Sequence, residues 1–477
     1  MSTSVQPAPP MTSPPRKRRR KRWIALGIAI VALGVPLGLA VYFFSADERE
    51  LAAALAETEE LDPHWRWNDI LARRAVIADE ENASLQVIKA HNASGKLYEK
   101  FRKHLGPDGE VRLDQLSPAD PLTPQQAADL RALMADCPEA LMEARKLRFM
   151  PKSRMPIKYA PDFVSTLVQP VQDARYVCSF LQYDVAVRTH DGDFDGALES
   201  CRAMLNCARS VGDEPFLIAL LVRCACINMT IDAIERVLAH GEPSEKALAE
   251  MQAALEQELA EPTLLVALRG ERAGYYELLE LMCQGKVRPS YIAALSGQRQ
   301  NEFVRIVQDY LPARATMNRA AFLRMMNEMV ETAKQPVEKQ PAEIDRIQKA
   351  WKGQVASLPG SIPFMEMTPP AYFRAQANMR CTVAALAAER YRLRHAAWPA
   401  SLDVLVKERL LSEVPLDPFD GQPMRYKVTA EGRVVYSIGD DRTDNGGNIN
   451  RHATIGNGGA GTDFGFRLWD RRNDRGR

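Results

Sequence analysis

The pattern of apolar and polar positions divides the chain into three parts. An uninterrupted apolar run extends from Trp23 to Phe44. From about 45 to 335 the apolar residues recur with helical spacing, in a background rich in Ala, Leu, Glu and Arg. From 371 onward one long helical pattern gives way to short alternating segments that are typical of strands. The pattern therefore predicts a mainly α protein with a single membrane helix, an α-helical domain and a small C-terminal α+β module.

The apolar run predicts a membrane anchor. Its 22 residues carry no charge. At about 1.5 Å per residue a helix of this length reaches about 33 Å, enough to cross a hydrocarbon core of about 30 Å. Seven cations, Arg16 to Arg22, precede the run, whereas Asp47, Glu48 and Glu50 follow it. By the positive-inside rule, we expect a cytoplasmic N-terminus and an exported chain from residue 45 onward.

A cleaved signal peptide is the alternative interpretation of this run. The apolar core of a signal peptide usually spans about 7 to 15 residues before a small-x-small site. Gly38-Leu39-Ala40 would supply such a site. The apolar run continues beyond it to Phe44, however, and includes Tyr42, which suits the outer membrane interface. We therefore favour an uncleaved, single-pass signal-anchor.

Composition sets the remaining domain boundaries. Residues 1 to 22 join a proline-rich start to the basic run and are expected to be a disordered cytoplasmic tail. Residues 45 to 335 are the expected exported α-helical domain. Residues 336 to 370 contain six prolines and are the expected boundary. Residues 371 to 477 form the expected α+β module, with a flexible end.

Charge argues against a nucleic-acid partner. Without the seven cations next to the apolar run, 55 of the 62 basic residues remain against 61 acidic residues. The exported part is therefore slightly acidic, and nucleic-acid binding normally needs a basic surface. The basic run itself is expected to act as a topology signal that also contacts anionic lipid.

The eight cysteines show neither CxxC pairs nor the density of a disulfide scaffold. Most are therefore expected to be small buried apolar residues. Five of them lie between Cys178 and Cys226. Export to an oxidising compartment would permit one or two disulfides there, with the pairing left open.

The most regular part of the helical domain predicts four consecutive helices, at 172 to 190, 194 to 210, 214 to 240 and 244 to 259. Short Asp-Gly, Gly-Asp and Gly-Glu-Pro turns separate them, and short turns join antiparallel helices. An earlier segment, 124 to 149, predicts two helices with a break near Cys137-Pro138.

The turn from His190 to Leu198 (HDGDFDGAL) resembles the inter-repeat turn of a tetratricopeptide solenoid, over at most two repeats. This resemblance implies a solenoid-like domain that binds a partner along a concave surface. The same residues also fit the first half of a calcium loop, but Arg202 occupies the position where a glutamate is required. We therefore favour a helix start capped by Asp193 or Asp195.

A methionine-rich segment near the end of the helical domain has two interpretations. Met317, Met325, Met326 and Met329 lie within one amphipathic pattern, 301 to 334. Such a face can be an adaptable binding groove, but it can equally fill an irregular core. We favour the core.

The order of turn residues after 371 resembles a known family. A long helix, Ala371 to Ala396, leads to Pro399-Ala400-Ser401-Leu402, then to the loop Pro415 to Gly421 (PLDPFDG), then to hairpin strands near 423 to 429 and 433 to 438. Over about 371 to 450 this resembles the globular C-terminal module of the major pseudopilin of type II secretion systems. The resemblance implies a long helix packed on a small antiparallel sheet. A further strand is predicted at Gly461 to Leu468, where apolar and other residues alternate.

Two departures separate this chain from pseudopilins. The whole helical domain stands between the apolar run and the module, and Trp23 to Phe44 contains no glutamate. Assembly into a pilus-like fibre is therefore not expected. The overall layout also resembles that of uncharacterised membrane-anchored proteins of planctomycete-type bacteria. That resemblance implies a bacterial inner (cytoplasmic) membrane location but no activity.

The loop after the second predicted strand is a candidate calcium site. Its predicted ligands are Asp440, Asp441, Asp444 and Asn448. Calcium takes six to eight oxygen ligands, which such a loop and its carbonyls could supply. Similar loops in the pseudopilin family hold one calcium ion, and Asp441 and Asp444 match the acidic positions of that pattern. Its downstream Asp has only Asn448 or Asn450 as a counterpart here, which implies a weaker site or none.

A capped turn is the alternative for this loop. In that arrangement the Asp and Asn side chains accept backbone N–H bonds, and Gly446 and Gly447 provide the positive φ angles that the turn needs. The alternative leaves three neighbouring carboxylates without a cation to offset their repulsion.

Sequence motifs do not indicate a reaction. The chain contains no HExxH, GxSxG, P-loop or dinucleotide fingerprint, and its seven histidines are scattered. No catalytic or cofactor-binding residue is therefore predicted, and a non-enzymatic role is expected. The first hypothesis is an anchored recognition or scaffold protein with a protein or peptide partner on the exported side. The alternatives are a component of a type II secretion or pilus-like apparatus and a cell-envelope enzyme with an unrecognised site.

Overall fold

The computed structural model describes residues 23, 47–95, 113, 116–295, 318–355, 362–449 and 462–470. The predicted tail, 1 to 22, lies outside the described residues, as does the predicted transmembrane helix 23 to 44 apart from Trp23. Contacts divide the chain into two compact units, 1–57 and 58–477. In the first unit, the described residues 47–57 are helical. The expected domain boundaries at 335 and 371 stay predictions.

The described part of the second unit contains fourteen α-helices and three strands. The helices are α1 (Trp67–Arg73), α2 (Ala83–Ala93), α3 (Pro124–Ala135), α4 (Pro138–Lys146), α5 (Gln169–His190), α6 (Phe194–Arg209), α7 (Leu217–His240), α8 (Glu245–Leu259), α9 (Thr263–Cys283), α10 (Pro289–Leu295), α11 (Arg319–Ala333), α12 (Gln340–Trp351), α13 (Ile362–His395) and α14 (Leu402–Lys407). The strands are β1 (Arg425–Val428), β2 (Gly432–Ser437) and β3 (Phe464–Trp469). The prediction of a mainly helical protein with a small antiparallel sheet is confirmed. The solenoid-like and pseudopilin-like arrangements stay predictions.

Helix α7 lies at the centre of the second unit and packs against α5, α6, α9, α13 and β3. A helix covered on so many sides must be apolar all round rather than along one stripe. Among the described residues, α7 is also the one helix that is long and apolar enough to cross a membrane, judged by length and composition. Inside this structure, 67% of its apolar window is buried.

Helices α5 to α8 follow the four helices predicted for this region, with bounds that differ by a few residues. The predicted cap of α6 is confirmed, because the Asp193 side chain accepts the Gly196 N–H at 3.1 Å. Asp195 instead accepts the Ser244 N–H at 2.6 Å, which holds the start of α8 against the start of α6. Close packing continues at Gly241, where a Cβ atom would overlap the ring of Phe194.

The methionine-rich segment belongs to the core. Met325, Met326 and Met329 lie on α11 and are buried, with at most 4% of each residue exposed. Met317 lies outside the described residues. The favoured interpretation of this segment as core filling is therefore confirmed for the three methionines that the structure describes.

Helix α13 begins earlier than the sequence predicted. It was expected from Ala371, whereas the structure starts it at Ile362 and carries Pro369 and Pro370 inside it. Proline is tolerated in the first turn of a helix but removes a hydrogen bond further in, which is why the sequence suggested a break. Pro341 also suggested a break in helical structure, but it lies in the first turn of α12, where proline is tolerated.

The sheet packs against α13 through β2 and β3. Its strand order is β1-β2-β3 and both pairs are antiparallel, with Val435 opposite both Tyr426 and Phe466. The predicted hairpin and the predicted third strand are confirmed in position. On the face opposite to Val435, Val434 and Tyr436 form a small buried cluster with Ile449.

A buried carboxyl group of α9 lies against the start of α7. Glu271 of α9 is 7% exposed, and its side chain accepts the Leu217 N–H at 3.3 Å. The neighbouring Gly270 allows this close approach, because a Cβ atom there would overlap Pro215. Burial raises the pKa of Glu271 to about 7, although the hydrogen bond from Leu217 opposes the change.

We predict that Glu271→Gln makes the protein more stable at neutral pH. The pKa is higher in the folded than in the unfolded state, so wild-type stability falls as the pH rises from about 4.5 to about 7. Glutamine stays neutral and can still accept the amide. The difference in unfolding free energy should therefore grow across this window, to on the order of 3 kcal/mol at pH 7. Urea unfolding at pH 4.5 and 7 measures it. Glu271→Asp, which keeps a carboxyl group, should retain the wild-type pH dependence. The same change of unfolding free energy with pH in all three proteins would contradict the prediction.

Candidate functional site

A buried carboxylate, Asp417, organises the base of the predicted calcium loop. It lies in the loop between α14 and β1 and is fully buried. Its oxygens accept hydrogen bonds from the Ser437 hydroxyl at 2.8 Å, the Ile438 amide at 2.9 Å and the Phe419 amide at 3.0 Å. Arg425 adds an ion pair at 2.8 Å. These bonds hold the end of β2 and the first residue of the loop in place.

The predicted calcium ligands cap the turns of their own loop. Asp441 accepts the Thr443 N–H at 2.9 Å, and Asp444 accepts the Gly446 N–H at 2.8 Å. Gly446 and Gly447 have φ angles of 69° and 80°, in the region that favours glycine. Burial lowers the pKa of Arg374, and the negative charges of Asp232 and Asp440 oppose this change. Asn448 joins the loop to the strand region through its carbonyl, which accepts the Asp463 N–H at 2.8 Å.

Asp463 is a loop carboxylate that sequence reasoning missed. It is 1% exposed and accepts the Asn445 N–H at 3.1 Å and the Gly447 N–H at 2.7 Å. Burial raises its pKa, and the negative charges of Asp444 and Asp441 act in the same direction. The downstream acidic position of the loop was expected at 448 to 450. Asp463 lies 13 residues beyond Asn450 and reaches the loop because β3 pairs with β2. The signal that could have found it is the predicted third strand, Gly461 to Leu468, which contains it.

Three carboxylates therefore surround this loop, but the predicted four residues are not brought together as a ligand set. Within the described ranges, no three His, Cys, Asp or Glu side chains form a group that could hold a metal ion. The capping bonds of Asp441, Asp444 and Asp463 account for the present arrangement. Bound calcium would offset the mutual repulsion of these charges. Calcium binding by Asp440, Asp441, Asp444 and Asn448 stays a prediction.

A second candidate site is a groove between α3, α4 and the 3₁₀ turn Leu147–Phe149. Its volume is about 580 Å³. The lining residues are Arg131, Met134, Ala135, Pro138, Leu141, Met142, Arg145, Lys146, Arg148 and Phe149.

Local sequence signals explain how the groove forms. Thr123 and Gln126 make a reciprocal capping box at the start of α3, where Pro124 fits the first turn. The predicted break at Cys137-Pro138 is confirmed, and Pro138 opens α4. The turn between α3 and α4 leaves an apolar depression between their ends and the following 3₁₀ turn.

The floor of this groove exposes unusually large apolar side chains. Phe149 is 66% exposed and Met142 is 53% exposed. The Arg148 guanidinium lies over the Phe149 ring, 4.6 Å from its centroid. An exposed apolar patch bordered by polar groups often marks a binding surface. Sequence reasoning missed it, because Met142 lies beside Leu141 on a short helix and the pattern does not show which of the two faces is covered.

The walls of the groove carry cationic side chains. Among the described residues that line it, four are cationic and none is acidic. Each of the four is paired with a carboxylate outside the lining, and two of these carboxylates are buried. Arg145 binds Asp184, which is 1% exposed, at 2.9 Å, and this hydrogen bond raises the pKa of Arg145. Lys146 binds the buried Glu143 at 2.9 Å.

Further contacts hold the walls in place. Hydrogen bonds from Gln86 and Lys146 lower the pKa of Glu143 to about 2, so this carboxylate stays charged. Arg131 pairs with Asp191 and Arg148 with Glu199, both at the surface. The Arg148 Nε is buried without a hydrogen-bond partner. The groove can therefore bind apolar side chains while its walls interact with negative charge.

Comparison of the chain with protein-family models, with curated proteins and with solved structures finds no match.

We predict that Asp463→Ala destabilises the C-terminal sheet more than Asp441→Ala. The first change leaves two half-buried amides without an acceptor, which costs at most about 1–3 kcal/mol for each unsatisfied group, whereas the second affects one exposed turn. Thermal unfolding of the two variants measures the difference. An equal loss of stability would contradict the assigned role of Asp463.

Wild type and the variant Asp444→Ala test the calcium prediction. Calorimetric titration of wild type with calcium should give heat that Asp444→Ala abolishes, and a chelator should lower the melting temperature. No heat at millimolar calcium would leave the capped turn as the full account of this loop.

Proposed function

We propose that this chain is a single-pass, membrane-anchored recognition protein whose exported helical part binds a peptide segment in the groove formed by α3, α4 and the Leu147–Phe149 turn. The observation that carries the proposal is the exposed apolar floor between cationic walls. A lining of apolar and cationic side chains supports peptide binding as the role of this groove.

The chemistry of the groove specifies the partner. Its floor suits two or three apolar side chains, because Phe149 and Met142 lose exposed apolar surface when covered. Its walls favour acidic groups at the edges of that apolar segment, since Arg131 and Lys146 are about half exposed and can bind a second carboxylate. The proposed partner is therefore an amphipathic peptide in which acidic residues flank apolar ones.

The membrane anchor is the second part of the proposal. The charge-free run Trp23 to Phe44, with seven cations before it, supports an inner-membrane helix with the N-terminus in the cytoplasm. In this arrangement the basic tail contacts anionic lipid and the groove faces the exported side. A secretion-apparatus component would share this topology, and co-purification with secretion ATPase or secretin subunits would distinguish it.

We predict that Phe149→Ser weakens binding of an acidic amphipathic peptide by about 10-fold or more, as expected when an aromatic anchor is lost. Two labelled peptides serve as probes, with identical apolar residues flanked by glutamates in one and by lysines in the other. Fluorescence anisotropy should show binding of the glutamate peptide only, and salt should weaken it. Leu167→Ser, at a position that is 83% exposed outside the groove lining, is the matched control. Equal binding of both peptides, or an equal loss in the control, would refute the groove as the site.

We predict that protease added to spheroplasts digests nearly the whole chain and spares a tag placed before the basic run. The tag should become accessible only after detergent lysis, because the membrane shields it. Protection of the C-terminal module in intact spheroplasts would rule out the proposed topology.

A further inference from the structure

Three buried cysteines meet where helices α5, α6 and α7 pack together. Cys178 lies on α5, Cys207 on α6 and Cys226 on α7, and each is 0% exposed. All eight cysteines of the chain are free thiols in this structure, and seven of them are buried. The predicted role of most cysteines as small core residues is therefore confirmed, but this group brings more than one thiol into the same place.

Within the group, Cys178 and Cys226 are direct neighbours. The Cys178 thiol donates to the Cys226 carbonyl oxygen at 3.7 Å, so the two residues are in direct contact where α5 packs on α7. The hydrogen bond to Cys226 and then burial raise the pKa of the Cys178 thiol well above its usual range. Thiolate attack is therefore suppressed once the core has closed, and any covalent bond between them must form during folding.

We propose that Cys178 and Cys226 form a disulfide that ties α5 to α7. The inference rests on the proposed export, which places the folding chain in an oxidising compartment. The thiolate of one cysteine attacks a disulfide oxidant, such as a periplasmic dithiol oxidase or oxidised glutathione, and forms a mixed disulfide. The second thiolate displaces the oxidant's sulfur. Overall the two cysteines lose two protons and two electrons, and the oxidant is reduced to its thiols.

Two other cysteines of this region, Cys207 and Cys224, are worse partners. The Cys207 thiol donates to the Ala174 carbonyl oxygen at 3.0 Å, a shorter contact than that of Cys178, and so remains a satisfied thiol. Cys224 precedes Cys226 by two residues on the same helix, so its side chain points to a different face. That face carries Arg223, which binds Glu258.

The position of the bond would matter for the fold. Cys178 and Cys226 are 48 residues apart, and their helices flank α6 in sequence. A bond between them closes a loop that contains all of α6 and constrains the unfolded chain. The oxidised protein should therefore melt at a higher temperature than the reduced protein.

The decisive experiment refolds the reduced full-length chain, in detergent, in a buffer of reduced and oxidised glutathione. Free thiols are then blocked with N-ethylmaleimide under denaturing conditions, and disulfides are reduced and labelled with iodoacetamide. Mass spectrometry should find the second label on Cys178 and Cys226 and the first label on the other six cysteines. Maleimide on all eight cysteines, or the second label on another pair such as Cys207 and Cys226, would overturn the proposal.

Variants and native protein complete the test. The melting temperature should differ by several degrees between oxidised and reduced forms in wild type and in Cys224→Ala, and not in Cys178→Ala. Equal melting temperatures of oxidised and reduced wild type would contradict a stabilising role for the disulfide. The labelling experiment uses wild type alone, so its result does not depend on the folding of a variant. Chain taken directly from membranes tests export separately. A bond that forms in glutathione buffer but is absent from cells would contradict export and not the pairing.

Discussion

Burial of most of helix α7 is the constraint on which the second unit depends. A 24-residue apolar helix cannot leave a face in water without losing much of its contribution to stability, so α5, α6, α9, α13 and the sheet all pack around it. This arrangement draws elements from both ends of the unit into one core. It also explains why a helix that meets the length and composition of a membrane span is found inside a folded unit, with 67% of its apolar window covered. Length and apolarity alone do not separate the two environments.

Burial on this scale requires that the charges next to α7 be paired. Glu258 of α8 is 3% exposed and lies between Arg223 of α7, at 2.8 Å, and Arg209 of α6, at 3.0 Å. Burial alone would raise the pKa of Glu258, but the two guanidinium groups more than offset it and the net pKa is lowered. Removal of either arginine would leave buried charge without its full set of partners. The network thus fixes how three helices meet rather than adding much net stability.

Local signals in the sequence were sufficient for most elements, whereas contacts between distant segments were not predictable. The cap at Asp193, the break at Pro138 and the alternating strand around Phe466 each depend on a few neighbouring residues. The early start of α13 depends on a contact with α12: Pro369 has no N–H for the Met365 carbonyl, and the Gln348 side chain donates to that carbonyl at 2.7 Å instead. The role of Asp463 depends on where the third strand returns beside the loop, and the groove depends on which face of α4 is covered. The periodicity of apolar residues predicts the strand and the helix but not these contacts.

The proposed binding groove and the core are connected through α5. Arg145 on the groove wall binds Asp184 of α5, and Asp184 also accepts the Ser200 hydroxyl of α6 at 2.6 Å. A wall cation is therefore held by a buried carboxylate that two packed helices fix in position. A site whose side chains are already ordered loses less conformational entropy on binding, so more of the contact energy contributes to affinity. Cys178 lies on the same helix, six residues before Asp184, and a covalent bond from it to α7 would stiffen the element that supports the groove.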